Sequence, residues 1–318
     1  MRKLKKLLLI GVILILAFST FGCSSSSDQV SIGIVQIVEH PALDAAREGF
    51  LEVLNANGYT EGDNLVVDYQ NAQGDQSTLQ SIANKFASAN HDMILAIATP
   101  SAQAVAGSTQ TIPILITAVT DPVTAKLVDS LEKPGTNVTG TTDMNPIDKQ
   151  FELLKQLVPN AQKVGIIYNA GEVNSQVQVD IAKEVAQAMN LEILEATVAT
   201  SADVLQAAQS FIDRVDAIYV PTDNTVVSAA QSVVQVANDN KIPLISGESS
   251  VVDAGGLATI GINYKNLGMQ TGEMALKVLK GAKPQEMPIE YQKDFDIVIN
   301  EETAQILGIE IPQELSNK

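Results

Sequence analysis

The chain has 318 residues, 45% of them hydrophobic and 4% aromatic, and its 37 acidic and 20 basic residues give a net charge of −17 at pH 7. An acidic chain argues against nucleic-acid binding, which requires a basic surface. Because the chain has only two histidines and one cysteine, it cannot build an ordinary His/Cys zinc site, and we expect no metal and no cofactor.

The first 23 residues have the pattern of an export signal. Four basic residues lie within positions 2–6, an apolar run follows over 7–18, and small residues come before the end of the segment. This order is typical of a secretory signal peptide. The apolar run is shorter than the ~20 residues that a membrane-spanning helix needs. We therefore predict a signal peptide over residues 1–23.

Cys23, the only cysteine of the chain, stands at the end of this segment. The arrangement resembles a bacterial lipobox, whose cysteine receives a lipid and becomes the first residue of the mature chain, although Thr20 and Phe21 depart from the usual leucine and small residue. The serine run that follows suits a flexible tether, which we assign to residues 24–30. The alternative is an ordinary cleaved signal with an incidental cysteine. Because four basic residues precede Cys23 and all 37 acidic residues follow it, the mature chain carries a net charge of −21.

The first half of the mature chain alternates between short apolar runs and stretches of helical period. Strands are predicted over 31–38, 64–69, 92–98 and 113–119, and helices over 42–57, 77–89 and from 100 onward. Runs such as ILAIA and PILITAV lack polar alternation, which is typical of strands buried on both faces. The pattern predicts an α/β fold with an open, doubly wound parallel sheet.

The second half repeats this plan. Strands are predicted over 163–169, 191–196, 216–220 and 243–246, and helices over 174–189, 202–212 and 224–238. Short matching segments in the two halves, such as 33–35 with 165–167, recur at offsets of 132, 124 and 130 residues. Three matches in the same order favour two Rossmann-like lobes of one topology.

Three segments are predicted to cross between the lobes. They are 136–143, 257–264 and the neighbourhood of 292–294, and a helix over 266–279 and a strand-like stretch over 287–300 lie around them. Three crossing strands would form a hinge. The predicted division is residues 31–140 plus 263–292 for lobe 1 and residues 141–262 plus 293–318 for lobe 2.

The mature chain resembles the type I periplasmic binding proteins of ATP-binding-cassette (ABC) importers, and within them the tryptophan/tyrosine-binding-protein-like family. The resemblance covers residues 29–312 and is carried by the segments IVQIVEHPALDAAREGF (34–50), ATPSAQA (98–104), TAVTDPV (117–123), NVTGTTD (137–143), YVPTDNTVVSA (219–229) and GINYKNLGMQTGEMA (261–275). It implies a monomeric, lipid-anchored solute-binding protein outside the cell membrane, which serves an ABC permease. The implied ligand is an amino acid, aromatic by resemblance. The alternatives are a non-amino-acid solute such as a nucleoside, or a sensor that presents a small molecule to a membrane receptor.

An enzyme is the main rival class, and the sequence gives it little support. It contains no G-x-S-x-G elbow, no G-x-x-x-x-G-K-[ST] phosphate loop and no G-x-G-x-x-G dinucleotide fingerprint. We therefore expect a binding protein rather than an enzyme.

Ligands of open α/β sheets bind outside the carboxyl ends of the strands, so the residues that follow each strand are the candidates for the site. Three of these segments contain an X-Pro step, which is typical of a helix start, at His40, Thr99 and Asp121. Thr99 and Ser101 flank a proline, and their hydroxyls and the free amides behind them predict a carboxylate-binding site. The alternative role of Thr99 is helix capping.

Further candidates in the first half are Glu39, His40, Thr120, Asp121 and Asp143. Glu39 and His40 end the first strand and either contact the ligand or face solvent. Thr120 and Asp121 follow the fourth strand, where Asp121 also suits the role of an N-cap. Asp143, in the first crossing, either lines the cleft or steadies the hinge.

The second half offers Asn169, which ends a predicted strand, and Asp223, Asn224 and Glu248, which follow predicted strands. Asp223 either binds a ligand ammonium group or caps the next helix, and Glu248 is the alternative ammonium partner. Asn169 is a candidate hydrogen-bonding partner for a polar head group.

Overall fold

Alternating strands and helices build two sheets, each dominated by parallel pairs. The computed structural model describes residues 29–315. The predicted signal peptide, Cys23 and residues 24–28 of the predicted tether lie outside the described residues. Within 29–315, no helix is both long enough and apolar enough to cross a membrane.

The strands are β1 (Val30–Gln36), β2 (Leu65–Asn71), β3 (Met93–Ile97), β4 (Ile114–Val119), β5 (Val138–Thr142), β6 (Lys163–Asn169), β7 (Glu192–Val198), β8 (Ala217–Val220), β9 (Leu244–Ser246), β10 (Ala258–Gly261), β11 (Glu290–Tyr291) and β12 (Asp296–Ile299). The helices are α1 (Pro41–Ala56), α2 (Gln76–Ser88), α3 (Thr99–Ser108), α4 (Ile147–Leu157), α5 (Val173–Ala188), α6 (Val204–Gln209), α7 (Asn224–Ser228), α8 (Ala230–Asp239), α9 (Ser249–Asp253), α10 (Tyr264–Leu279) and α11 (Glu301–Leu307).

The two sheets have the same topology. The first has the order β11-β5-β4-β3-β1-β2 and the second the order β12-β10-β9-β8-β6-β7. All pairs are parallel except β10 with β12. We call the first sheet with its helices lobe 1 and the second with its helices lobe 2. The predicted fold class, two doubly wound α/β lobes, is confirmed.

The central strands are buried on both faces, as their apolar runs predict. Every residue of β3, β4 and β8 is buried, because helices cover both sides of a parallel sheet. The longest helix contact in lobe 1 is between α1 and α10, where the backbones approach closely at Gly49 and Gly268. This contact holds the start of α10 in place at the carboxyl edge of the sheet.

Several helices differ from the prediction. The single helix predicted over 224–238 is two helices, because Ala229 leaves the helical conformation with φ −117° and ψ 27°. The helix predicted over 202–212 is a 3₁₀ turn, Ser201–Asp203, followed by α6. Helix α10 begins at Tyr264 rather than at 266, because the Asn263 side chain accepts a hydrogen bond from the Asn266 amide at 3.0 Å and caps it there. Helices α4, α9 and α11 were not predicted.

Three crossings join the lobes and lie next to one another. The chain leaves lobe 1 after β5, returns from β10 to α10, and leaves again between β11 and β12. Residues 258–261 of the second predicted crossing are β10, a strand of the second sheet, so only 262–263 cross. Asn145 Oδ1 accepts a hydrogen bond from the Ile262 amide at 3.1 Å. The Gln292 side chain accepts from the Asn263 amide at 3.1 Å and donates to the Asn263 carbonyl at 2.8 Å. These hydrogen bonds hold the crossing segments in fixed positions relative to one another.

Candidate binding site between the lobes

The carboxyl ends of both sheets meet at a small enclosed space. The two lobes meet around a narrow space that has room for little more than a water molecule between the facing side chains. The lining residues come from loops and helix starts of both lobes: His40, Leu43, Ala118, Thr120, Asp143, Asn174, Thr222, Asp223, Asn224, Glu248 and Tyr264. Most of these side chains are polar, so the space suits a small polar or charged ligand.

The predicted residues divide into two groups. Six of them line this space, namely His40, Thr120, Asp143, Asp223, Asn224 and Glu248. The other five, which do not line it, are Glu39, Thr99, Ser101, Asp121 and Asn169.

Thr99 and Ser101 lie buried at the start of α3, beside the space. Ala98, which precedes them, has φ 75° and ψ 156°, a conformation that residues other than glycine adopt only at a cost of about 1–3 kcal/mol. Ala98 donates its amide to the Thr117 carbonyl at 3.0 Å, which places it next to Ala118 on the wall of the space. The hydroxyls of Thr99 and Ser101 are buried without a partner, and the first amides of a helix have no partner within it. These hydroxyls and amides can together donate hydrogen bonds to an anion.

Three of the predicted residues point elsewhere. Glu39 is exposed, and Tyr69 donates a hydrogen bond to it at 3.4 Å. Asn169 lines a wider groove next to the space, together with Pro100 and Gln103. The Asp121-Pro122 step begins a turn and not a helix, and Asp121 accepts from the amides of the following residues at 3.0 Å. The prediction that this step begins a helix, with Asp121 as its N-cap, was therefore wrong.

His40 and Glu248 face each other across the lobes. His40 Nδ1 lies 4.0 Å from Glu248 Oε1, and both side chains are almost fully buried. Neither ring nitrogen of His40 has a hydrogen-bond partner. Burial lowers the pKa of His40 to about 4 and raises the pKa of Glu248 to about 7, because a charged group loses its hydration when the lobes enclose it.

Asp143 presents an unused oxygen to the space. Tyr264 donates its hydroxyl to Asp143 Oδ2 at 2.8 Å, whereas Oδ1 is buried without a partner. Burial raises the pKa of this carboxyl. No Lys or Arg lines the space, so nothing in its wall compensates the charges of Asp143 and Glu248.

Asp223 differs from Asp143 because lobe 2 already satisfies it. Its oxygens accept hydrogen bonds from the amides of Asn169 at 2.6 Å and Val226 at 2.8 Å and from the Ser175 hydroxyl at 2.6 Å. Asp223 is thus the N-cap of α7. Burial is the main cause that raises its pKa to about 7, and the neighbouring charge of Glu172 adds to it.

Sequence reasoning missed two polar residues at the start of α5, namely its N-cap Glu172 and Asn174 in its first turn. Glu172 and Asn174 are buried, and Asn174 lines the space. Glu172 accepts a hydrogen bond from the Asn224 side chain at 2.5 Å, so it joins two loops of lobe 2. Within residues 29–315, no group of three or more His, Cys, Asp or Glu residues is arranged to hold a metal ion.

Comparison with known proteins gives this geometry a context. The family profile described as ABC transporter substrate binding protein matches residues 31–318. The chain is 50% identical to the "Tyrosine-binding protein" of Clostridioides difficile strain R20291 over 90% of this chain and 83% of that protein. Its relatives are solute-binding proteins and not enzymes.

Two solved structures differ in how well they superpose. The ABC domain from Streptococcus pneumonia in complex with L-Trp is 38% identical over 91% of this chain and 97% of that chain, with a TM-score of 0.88. The ligand-free, open structure of a substrate binding protein with adhesive properties from Clostridium difficile is 51% identical over 89% and 96%, with a TM-score of only 0.68. The lobes described here are therefore arranged more as in the L-Trp complex than as in the open structure. More distant solute-binding proteins share the fold alone, which is that of type I periplasmic binding proteins.

Proposed function

The chain belongs to the family of ABC transporter substrate-binding proteins, and from this premise we propose that it binds an aromatic amino acid between its lobes for an ABC importer. Substrate-binding proteins of these transporters work outside the cytoplasm. The lobes described above would move as units about the three crossings.

The observation that carries this proposal is the distribution of charge around the enclosed space. On one side, Asp143 and Glu248 are buried carboxyls with no cation beside them in the wall. Beside the space, though not in its wall, the start of α3 offers amides and the unpartnered hydroxyls of Thr99 and Ser101. A zwitterion supplies an ammonium group for the two carboxyls and a carboxylate for the start of α3. Neither a sugar nor a simple anion satisfies both.

The aromatic side chain rests on the relatives. One is called a tyrosine-binding protein, and another was solved with L-Trp.

Binding would proceed by closure of the lobes. His40 and Tyr264 belong to lobe 1 and Glu248 to lobe 2, and they line one space only when the lobes are together. A ligand that contacts both lobes makes all of its bonds only in the closed state, so it shifts the population towards that state. The permease would then recognise the closed shape.

A thermal-shift screen of the mature protein tests the ligand class. After unfolding and refolding to remove carried ligand, L-Tyr or L-Trp at 100 times its Kd should stabilise the protein by about 2.7 kcal/mol, which is read as a raised melting temperature. The matched controls are tyramine and 3-phenylpropionate, each of which lacks one of the two charged groups. A shift with a nucleoside or a sugar, and none with any amino acid, would refute the proposal.

We also propose that a lipid on Cys23 anchors the protein to the membrane. Changing Cys23 to serine should move the full-length protein from the detergent phase to the aqueous phase in a Triton X-114 partition, because serine cannot receive the thioether-linked lipid. A Ser24→Ala variant, one residue further on, should stay in the detergent phase. Equal partition of wild type and Cys23→Ser would show that the cysteine is incidental to an ordinary signal.

A further inference from the structure

The side-chain amide of Asn174 can be oriented in only one way. Its Nδ2 lies 3.1 Å from Glu172 Oε2, 3.1 Å from the Thr222 carbonyl and 3.3 Å from the Ser175 hydroxyl. A carboxylate and a carbonyl only accept hydrogen bonds, so the amide cannot be turned to place its oxygen there. All of its donor capacity is therefore used inside lobe 2.

The oxygen of this amide accepts no hydrogen bond. Asn174 Oδ1 is buried and has no partner, while the residue lines the space between the lobes. A buried acceptor without a donor is costly, and most such groups in native proteins have a partner. Asp143 Oδ1 is in the same condition on the same space. Two unpartnered acceptors thus line one small space.

Glu172 holds the Asn174 side-chain amide in this orientation. It is the residue before the first turn of α5, and it accepts hydrogen bonds from both the amide and the side chain of Asn224 and of Thr225. These bonds fix the Glu172 carboxylate at the start of α7. It accepts a hydrogen bond from Asn174 there, and it cannot move along if the Asn174 side chain rotates. No side chain in the wall of the space donates a hydrogen bond to Asn174 Oδ1 in this arrangement, although the Thr222 hydroxyl and the His40 ring lie in the same wall.

We propose that Asn174 contacts the ligand, with its Oδ1 accepting a hydrogen bond from a primary ammonium group, and that Glu172 is the positioning residue that keeps Oδ1 turned towards the ligand. A primary ammonium group has three donors and no acceptor, so it can donate to Asn174 Oδ1 and to Asp143 Oδ1 together. N-alkylated amines have fewer donors and should be discriminated against. This inference rests on the proposed function, because it assumes that an amino acid occupies the space.

Isothermal titration of L-tyrosine and N-methyl-L-tyrosine into the refolded protein tests it. Wild type should bind the methylated compound about tenfold more weakly, since one acceptor loses its donor. Asn174→Ala should weaken L-tyrosine binding by about 10- to 100-fold, and it should bring the two dissociation constants close together because the methyl group can fill the vacated place. An unchanged ratio of the two constants in Asn174→Ala would overturn the proposal.

Glu172→Gln tests the positioning role separately. The Gln side chain can turn either its oxygen or its nitrogen towards Asn174, so only the Thr222 carbonyl still requires the Asn174 nitrogen there, and L-tyrosine binding should weaken by up to about tenfold. The double variant should bind about as weakly as Asn174→Ala alone, because both changes act through the same oxygen. Fully additive effects would show that Glu172 does not act through Asn174.

The matched control is Asn137→Ala. The Asn137 side chain also donates two partly buried hydrogen bonds, to the carbonyls of Thr109 and Ile112, but it lies in lobe 1 away from the space. It should lower the melting temperature and leave the ratio of the two constants at the wild-type value. If wild type binds neither L-tyrosine nor L-tryptophan, the proposed function fails as well. If it binds them and the ratio does not respond to Asn174→Ala, only the present inference fails.

Discussion

Replacing Gly268 by alanine should destabilise the protein by about 3 kcal/mol, which corresponds to a fall of about 5–10 °C in the melting temperature. A Cβ at this position would lie 1.9 Å from the Ala46 carbonyl oxygen and 2.8 Å from Ala46 Cα. Both are backbone atoms of α1, so neither can move aside as a flexible side chain would. Helices α1 and α10 would have to separate, and lobe 1 would lose packing along the length of their contact.

The matched control for this prediction is Gly107→Ala. Gly107 lies inside α3, and a Cβ there meets no atom within 4 Å. Alanine should stabilise this position by up to ~1 kcal/mol because it restricts the unfolded chain and favours the helix. Gly49→Ala should resemble Gly268→Ala, since its Cβ would lie 2.1 Å from the Lys265 carbonyl oxygen. Equal melting temperatures for the Gly268 and Gly107 variants would show that the two helices can separate without cost.

The parallel sheets could be predicted because burial on both faces leaves a direct trace in the sequence. The strand β3 is an uninterrupted apolar run and β4 is interrupted only by Thr117, and every residue in both is buried. The break between α7 and α8 left no such trace, because residues 224–238 keep a helical period without glycine or proline. Similarly, Asp121-Pro122 has the composition of a helix start, but the chain that follows forms only a turn before it reaches β5.

The sequence predicted site residues by the rule that sites lie at the carboxyl ends of strands, and six of the predicted side chains line the space. Their role in binding remains a prediction. The rule does not say which polar residue of a loop is buried. The sequence did not single out Glu172, because its partners Asn224 and Thr225 lie more than fifty residues away in the chain. The internal repeat was a usable signal, since an offset of 132 residues carries His40 onto Glu172. Both residues stand at the N-cap of the helix that follows the first strand of their lobe.

Changing Asp143 to asparagine should weaken binding of L-Tyr and L-Trp by about 100-fold, because removing one partner of a buried ion pair costs several kcal/mol. The Tyr264 hydroxyl donates to this side chain, so the asparagine oxygen should take that bond. Its nitrogen would then replace Oδ1, and a donor would face the donors of the ammonium group. Titration calorimetry measures the loss directly. Asp216→Asn removes the same charge at the amino end of the lobe 2 sheet, where Asp216 accepts from the amides of Gln162 and Lys163, and it should leave the affinity unchanged.

Although Asp143→Asn should weaken ligand binding, it should not lower the stability of the ligand-free protein. Burial raises the pKa of Asp143, so its ionised form is disfavoured in the closed arrangement, and the resulting loss of stability appears as the pH rises through that pKa. A neutral amide avoids this penalty, so Asp143→Asn should melt at or above the wild-type temperature near pH 7 without ligand. A residue needed only for packing or for the hinge would lower affinity and stability together. Lower affinity with undiminished stability would mark Asp143 as a charge kept for the ligand, whereas affinity within about threefold of wild type would shift that role to Glu248.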